Sequence, residues 1–402
     1  MTNDKKTEKK INKGKENSKF LTFLPVNKNA EVAIYYGFTP IKNLQITKDD
    51  IKKASSLKDS FCKNNDLSWL FSQGFAEERT SLIRNYIENE MSSMPQPIML
   101  IHESLNVKER AKDTINLEIL GTSKSVAEAL LIKTTISMLK DNGYKNFVLE
   151  INTIGDKESS NKFSKELTNY LRKNLNGLPA HCRQNFKKDP FYVMSCDSCD
   201  CGKIKGAAPT SISCLSDESR LYFKEILEYI ELMEIPYKIN NCLVPDKKYC
   251  SGTVYKIKDA TNEETLAVGF RHDGFAQKIG NKKDIPGVGI KIFLKKKAVT
   301  KSISKITKPK AFYIQLGEEA KHKSLEVIEI LKKEKIFVYH MLGRDKFGSQ
   351  FSLVEKTKVP YVIIMGKKES LENSVMVREN STRTQKTIPI KDLAEYLKNL
   401  PE

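Results

Sequence analysis

Arg271, His272 and Asp273 follow one another at the end of an apolar run, inside a stretch where glycine recurs at 269, 274, 280, 287 and 289. A fixed cation, a titratable ring and a carboxylate in succession offer a polar ligand both signs of charge; the same residues would serve equally as the polar rim of a glycine-rich hairpin. Glu78 and Thr80 are a second candidate pair. A carboxylate and a hydroxyl two residues apart suit an ammonium group, the first by charge and the second by hydrogen bond, although AEERT opening a helix is also ordinary capping chemistry. The third candidate is the C-x-x-C-x-C of Cys196, Cys199 and Cys201, with Cys182 before it and Cys214 after. Thiolates at such spacing can hold zinc, which takes four ligands in a structural site, so Cys182 or Cys214 would complete the set.

The elements that must position these residues are readable from apolar spacing. Leu266 to Leu294 reads as strand, turn, helix, turn, strand, since glycines mark each point where the backbone turns or comes close to something. Val126, Ala129, Ile132, Ile136 and Leu139 recur at helical spacing and stop at Asn142-Gly143. Val148 to Ile154 is a strand entering a turn at Gly155-Asp156. Near the beginning, Ala30 to Tyr36 is a short helix-like stretch and a polar helix starts at Thr47. From Pro309 to Leu400 short apolar strands alternate with helices, the signature of a parallel or mixed α/β domain. Residues 1–19 carry seven lysines against three acids and almost nothing apolar, which predicts a disordered tail.

A chain of 402 residues with 39% hydrophobic content is long enough for two domains plus tails. No apolar run approaches the roughly 18 to 20 residues of a membrane span, and the basic N-terminus has no apolar segment behind it. Eight cysteines without an export signal fit a reducing cytosol, so the expectation is a cytoplasmic protein without a membrane partner. The net charge of +18 invites a nucleic-acid partner. Ten of the 68 basic residues are arginine and the other 58 lysine; so few planar guanidinium forks argue against a site packed with phosphate clamps. Pro309 to Glu402 holds 17 basic and 13 acidic residues, so RNA binding there would rest on fold and loops more than on bulk charge.

Several segments, in order, resemble the histidyl-tRNA synthetase family. GFRHDGFAQKIG is similar to the family's GGRYDGLxxxLG, IPGVGIKIFLKK to its motif 3 (PAVGFAxGxERL), and LVPDKKYCSGTVYK at 243–256 to LVRGLDYYNxTVFE. VLEINTIGDKESSNKF at 148–163 resembles LxLNSIGxxxxRxxY, and FAEERTSLIRNYI at 75–87 resembles LRPEGTxxxxR. The resemblance implies an α+β class II synthetase-like core, an antiparallel sheet flanked by helices, over 20–300. A linker at 301–308 and an α/β anticodon-binding domain at 309–402 would follow, with PYVIIMGKKE and IPIKDLAEYL as landmarks. It implies an amino-acid site of Glu78, Thr80, Glu118, Tyr249, Arg271 and His272 for histidine or a similar small amino acid, with ATP and Mg as cofactors if the chain is active. It further implies tRNA as partner, and a homodimer through motif 1, of which YYGFTPI survives.

The departures from the family are as informative. Pro245 stands where the family has the arginine that neutralises the adenylate, and Lys248 where it has an aspartate. Lys296 replaces the motif 3 arginine that stacks on ATP. The motif 2 region, MLIHESLNVKERAKDTINLEILG, holds Arg110 alone, away from the phosphate-gripping position. Losing one preorganised donor to developing negative charge costs on the order of two to three powers of ten in rate, so three losses predict little adenylation. The reading that follows is a synthetase-like protein that binds tRNA or other RNA with weak or no aminoacylation. Two alternatives stand beside it: an active histidine-tRNA ligase, and an amino-acid-sensing subunit similar to the regulatory subunit of ATP phosphoribosyltransferase, which normally lacks the C-terminal domain.

Overall fold

A computed structural model describes residues 28–41, 44–57, 75–104, 112–187, 189–196, 201–244, 250–295 and 309–401. They fall into two compact units, Pro40–Lys297, and the N-terminal residues through Thr39 together with those from Ala298 onward. The tail at 1–19 and the linker at 301–308 lie outside the described residues.

Chain order begins with α1 (Lys28–Tyr35), β1 (Thr39–Pro40), α2 (Lys48–Ser55) and α3 (Phe75–Glu88). Thr47 caps α2 through a reciprocal bond with Asp50, which also receives Arg84 of α3 at 3.0 Å. Next come β2 (Ile98–Glu103), β3 (Lys112–Leu120), α4 (Val126–Asp141) and β4 (Phe147–Thr153). A helical stretch follows: α5 (Lys157–Lys173), α6 (Ala180–Phe186), α7 (Phe191–Ser195), α8 (Gly202–Gly206) and α9 (Asp217–Leu232). The unit closes with β5 (Tyr237–Ile239), β6 (Thr253–Asp259), β7 (Thr265–Arg271), α10 (Phe275–Lys278) and β8 (Gly287–Lys295).

These strands form one sheet in the order β1-β2-β3-β8-β7-β6-β4-β5. Every pairing from β2 through to β4 is antiparallel, and β5 runs parallel to its neighbour β4. Alternation along β8 sorts the two faces. Val288, Ile290, Ile292 and Leu294 point to one side, a continuous apolar surface packed by α4. Gly287, Gly289, Lys291 and Phe293 point to the other, where α3 lays Phe75, Leu82 and Ile83 against Val254, Val268 and Phe270. The sheet is thus an ordinary core on one face and a mixed apolar and ionic layer on the other.

The second unit holds β9 (Ala311–Gln315), α11 (Glu318–Lys333), β10 (Val338–His340), α12 (Phe347–Thr357), β11 (Tyr361–Met365), α13 (Lys367–Leu371), β12 (Ser374–Glu379), β13 (Gln385–Pro389) and α14 (Leu393–Lys398). The sheet order is β10-β9-β11-β12-β13. The first three strands are parallel and the last two antiparallel, so the domain is mixed. Helix α1 belongs to this unit: Tyr35 meets Phe337 edge-on with ring centres 6.1 Å apart, and the Tyr36 hydroxyl donates to Glu329. His340 faces the Tyr35 carbonyl at 3.4 Å and is pushed down to about 4 by burial. Sequence reading assigned 20–39 to the core. An eight-residue helix with Ala30, Val32, Ala33 and Tyr35 on its buried side needs an apolar partner, and here the strand β10 region supplies it.

One glycine controls how the helical stretch joins the sheet. Gly155 leaves β4 at φ +66, and a Cβ there would stand 2.6 Å from Ser159 Cβ and 2.7 Å from Leu215 Cδ2. Beside it Asp156 accepts from Ser159 N at 2.8 Å and from Ser216 Oγ at 2.6 Å, so one carboxylate caps α5 and ties down the start of α9. Gly155→Ala combines a left-handed backbone with a clash, and is expected to cost about 2–3 kcal/mol. A fall in the thermal midpoint of the full chain larger than that of Gly143→Ala, which meets nothing within 4 Å but shares the positive φ, would separate crowding from backbone strain.

Candidate functional site

The face of the sheet under α3 carries a buried ionic cluster. Glu78 and Arg79 lie in the first turn of α3, His102 in β2, Glu118 in β3, Lys291 in β8, and His272 directly after β7. Arg79 Nη2 pairs with Glu118 Oε1 at 2.5 Å, and His272 Nε2 lies 3.3 Å from the other oxygen, Oε2. Lys291 Nζ pairs with Glu78 Oε2 at 3.0 Å, while Ser104 Oγ donates to Glu78 Oε1. The Arg79 guanidinium lies against two adjoining rings, 4.4 Å from the Phe75 ring centre and 4.9 Å from that of Phe270, and the Lys291 ammonium is 5.5 Å from Phe75. Arg79 is 2% exposed, Lys291 1%, Glu118 3% and His272 0%. Charges this dry persist only as pairs.

The register explains how β8 accommodates them. Gly289 lies opposite Glu118 and Phe270; a Cβ at Gly289 would stand 2.2 Å from Glu118 Oε2, and one at Gly287 would stand 2.6 Å from His272 Cε1. Glycine is therefore required by the space that the Glu118 and His272 side chains fill. Burial pushes the Glu118 carboxyl up, yet Arg79 and His272 outweigh it and hold the group below the usual carboxylate range. Burial, reinforced by Arg79, pulls His272 down, and burial also depresses His102 against the pull of Glu118 and Glu78. Lys291 is lowered by burial despite Glu78.

Arg271 belongs to a different network. It pairs in register with Val288, one position along from the Gly289–Glu118 pair, so it faces the α4 side of the sheet. Its Nε and Nη2 fork onto Glu128 at 2.7 and 2.8 Å, and Nη1 donates to the Thr122 carbonyl at 3.1 Å and to Asp273 at 3.2 Å. Tyr222 completes the group by donating to Glu128 at 2.9 Å. Thr80 donates to the Ala76 carbonyl of its own helix at 2.8 Å.

Of the six residues the sequence singled out, Glu78, Glu118 and His272 come together. Arg271 and Thr80 are engaged elsewhere, and Tyr249 lies outside the described residues, as do Pro245, Lys248, Lys296 and Arg110. Sequence reasoning missed Arg79, Lys291 and His102. Arg79 stands between Glu78 and Thr80, where the LRPEGT pattern has glycine, so a large cation in a small residue's place was the available signal. Lys291 is the single charge inside the apolar strand GVGIKIFL, which by itself marks a buried partner.

Cys196 and Cys201 do not gather with Cys214. The Cys214 thiol donates to Glu166 at 3.2 Å, and among the described residues the donor atoms that converge are those of His181, Cys182 and Cys196. Cys201 joins them through Cys182, Sγ to Sγ 3.3 Å. Cys199 lies outside the described residues.

A predominantly antiparallel sheet flanked by helices is followed by a mixed five-stranded domain, and residues 310–400 match the anticodon binding domain family. Over most of its length the chain is similar to histidine–tRNA ligases. It is 27% identical over 337 residues to the histidine–tRNA ligase of Acetivibrio thermocellus, covering 80% of this chain and 81% of that one. It is also 27% identical over 293 residues to that of Vesicomyosocius okutanii, covering 71% and 69%. The apo histidyl-tRNA synthetase of S. aureus shares the fold with a TM-score of 0.51 at 19% identity, over 93% of this chain and 94% of that one. No helix among the described residues is long and apolar enough to cross a membrane.

Removing one member of a buried pair costs about 3–5 kcal/mol because the other charge is stranded. Arg79→Gly should therefore lower the thermal midpoint markedly, and low-millimolar guanidinium, but not the same concentration of sodium, should restore part of it by entering the vacated place beside Glu118. Histidine protonation provides a second readout. His102 and His272 are both depressed in the folded chain, so the unfolded chain takes up protons near the ordinary histidine value of about 6.5 that the folded chain refuses. Their contribution to stability is present above that value and is lost as pH falls below it, by up to about 1.4 kcal/mol per pH unit for each. Thermal midpoints recorded from pH 7.5 to 5 should fall in the wild type, and less steeply in His102→Gln and His272→Gln.

Proposed function

We propose that this chain is a synthetase-like RNA-binding protein that has weak or no aminoacylation activity. The observation that carries the reading is the Arg79–Glu118 pair: the carboxylate that the resemblance assigns to substrate is held by a cation of the chain itself, and Lys291 holds Glu78 in the same way. A substrate ammonium entering here would have to displace a buried guanidinium packed against two aromatic rings. The sequence adds to this, since Pro245, Lys296 and the motif 2 loop lack arginines that would act on the phosphates and base of ATP. Both carboxylates of the cluster are engaged by cations of the chain, so they do not fit a role as ligands for Mg. The C-terminal domain, matched over 310–400, supports tRNA or another structured RNA as the partner.

Glu78 and Glu118 themselves favour a second reading, an active histidine-tRNA ligase in which substrate binding rearranges the two pairs. Histidine-dependent exchange of pyrophosphate into ATP separates them. The full-length protein is expected to show none, while retaining tRNA in a filter-binding titration with an affinity that falls as salt rises. Exchange at the level of a histidine-tRNA ligase assayed beside it would restore the ligase reading, and the absence of tRNA retention at low salt would remove the RNA-binding one.

A further inference from the structure

We propose that His181, Cys182, Cys196 and Cys201 form a structural zinc site that pins the helical stretch between β4 and β5. The four come from three short pieces of chain: His181 and Cys182 from the first turn of α6, Cys196 from the end of α7, and Cys201 from the start of α8. Nothing in the hydrogen bonding of such short helices brings them together, yet the His181, Cys182 and Cys196 donor atoms all lie within 4.8 Å of one another. His181 Nε2 is 3.3 Å from Cys196 Sγ, and Cys182 Sγ is 3.3 Å from Cys201 Sγ. A tetrahedral centre with Zn–S bonds of about 2.3 Å has sulfur–sulfur edges of about 3.8 Å, and Cys182 Sγ to Cys201 Sγ at 3.3 Å lies somewhat inside that edge. A disulfide bond would need about 2.05 Å between the sulfurs.

Burial and charge agree with a closed structural site. Cys182 and Cys201 are wholly buried and Cys196 nearly so, whereas His181 is exposed, leaving an entry side for the ion. Burial pushes the Cys182 and Cys201 thiols up. On binding, each thiol would give up its proton, so Zn2+ and three thiols give a neutral-histidine, three-thiolate centre of net charge −1 and three released protons. Lys205 donates to the Cys196 carbonyl and sets a positive charge beside that centre. The apolar packing here is modest in extent: Phe163, Leu167, Phe191 and Val193 surround the sulfurs, and α7 and α8 are each five residues long, too short to hold themselves.

This assigns Cys182 and His181 as ligands and leaves out Cys214, whose thiol is committed to Glu166. It is independent of the reading of the sheet's ionic cluster. The test is the metal content of the full-length protein, purified under reducing conditions without chelator and measured by inductively coupled plasma mass spectrometry. One zinc per chain is expected. Replacement by cobalt should give the intense visible bands of a tetrahedral thiolate centre. Cys182→Ser and Cys201→Ser should lose the metal, and Cys199→Ser and Cys214→Ser should keep it. Because the buried serine variants may not fold, His181→Ala, at an exposed position, is the second arm: it should remain folded, bind zinc at least about 10-fold more weakly and alter the cobalt spectrum. Metal-free wild type, metal retained unchanged in His181→Ala, or metal lost in Cys214→Ser or Cys199→Ser would each overturn the assignment.

Discussion

The ion pair between Arg79 and Glu118 is the constraint around which the rest of the catalytic-type core is arranged. A carboxylate placed under α3 on the inner face of a sheet has no water to turn to, so something must neutralise it. Once Arg79 does so, its guanidinium needs a stack, which Phe75 and Phe270 supply. The carboxylate also needs room, which the missing side chain at Gly289 leaves. The opposite face has the mirror requirement met differently, with Arg271 forked onto Glu128. Two buried ion pairs on two faces of one sheet, Arg79 of α3 with Glu118 and Arg271 of β7 with Glu128, fix the register of β3, β8 and β7 more sharply than apolar packing alone: a one-residue slip would carry Glu118 or Arg271 to the wrong face.

Much of the fold was legible because its elements obey strong periodicities. The strand, turn, helix and strand of 266–294 appear as β7, α10 and β8, and the helical spacing ending at Asn142-Gly143 appears as α4. The alternating pattern after Pro309 appears as the five-stranded domain. What was not legible depends on pairing across distance. The position of α1 is decided by Phe337 and Glu329, roughly three hundred residues further along the chain, and nothing local in KNAEVAIY distinguishes one apolar partner from another. The short helices between 180 and 206 carry too few turns for a period to show.

The site was half legible for a related reason. The resemblance grouped Glu78, Glu118 and His272, and the structure has the three in one cluster, because a motif records which residues converge. It did not reveal what they touch. That depended on Arg79 and Lys291, which enter through positions the motif treats as glycine or as strand interior, and on the alternation that sends Arg271 to the far face. For the cysteines the local spacing pointed to a cluster, but C-x-x-C-x-C says nothing of the helix that delivers His181 and Cys182 from fifteen or more residues upstream.

Residue identity and residue role therefore part company in this chain. Glu78 and Glu118 have the types and places that the resemblance associates with substrate, and yet each is bound to a cation that the same chain supplies. In energetic terms the two situations are close: a carboxylate in a dry site needs one positive partner, and it is equally satisfied by a ligand ammonium or by a tethered guanidinium. The tethered partner has the advantage of effective concentration, since it is always at hand and its ordering entropy is met once, at folding. A pocket can thus lose its ligand by gaining a side chain while keeping every residue that once held the ligand. On the reading proposed above, the two carboxylates serve stability and register.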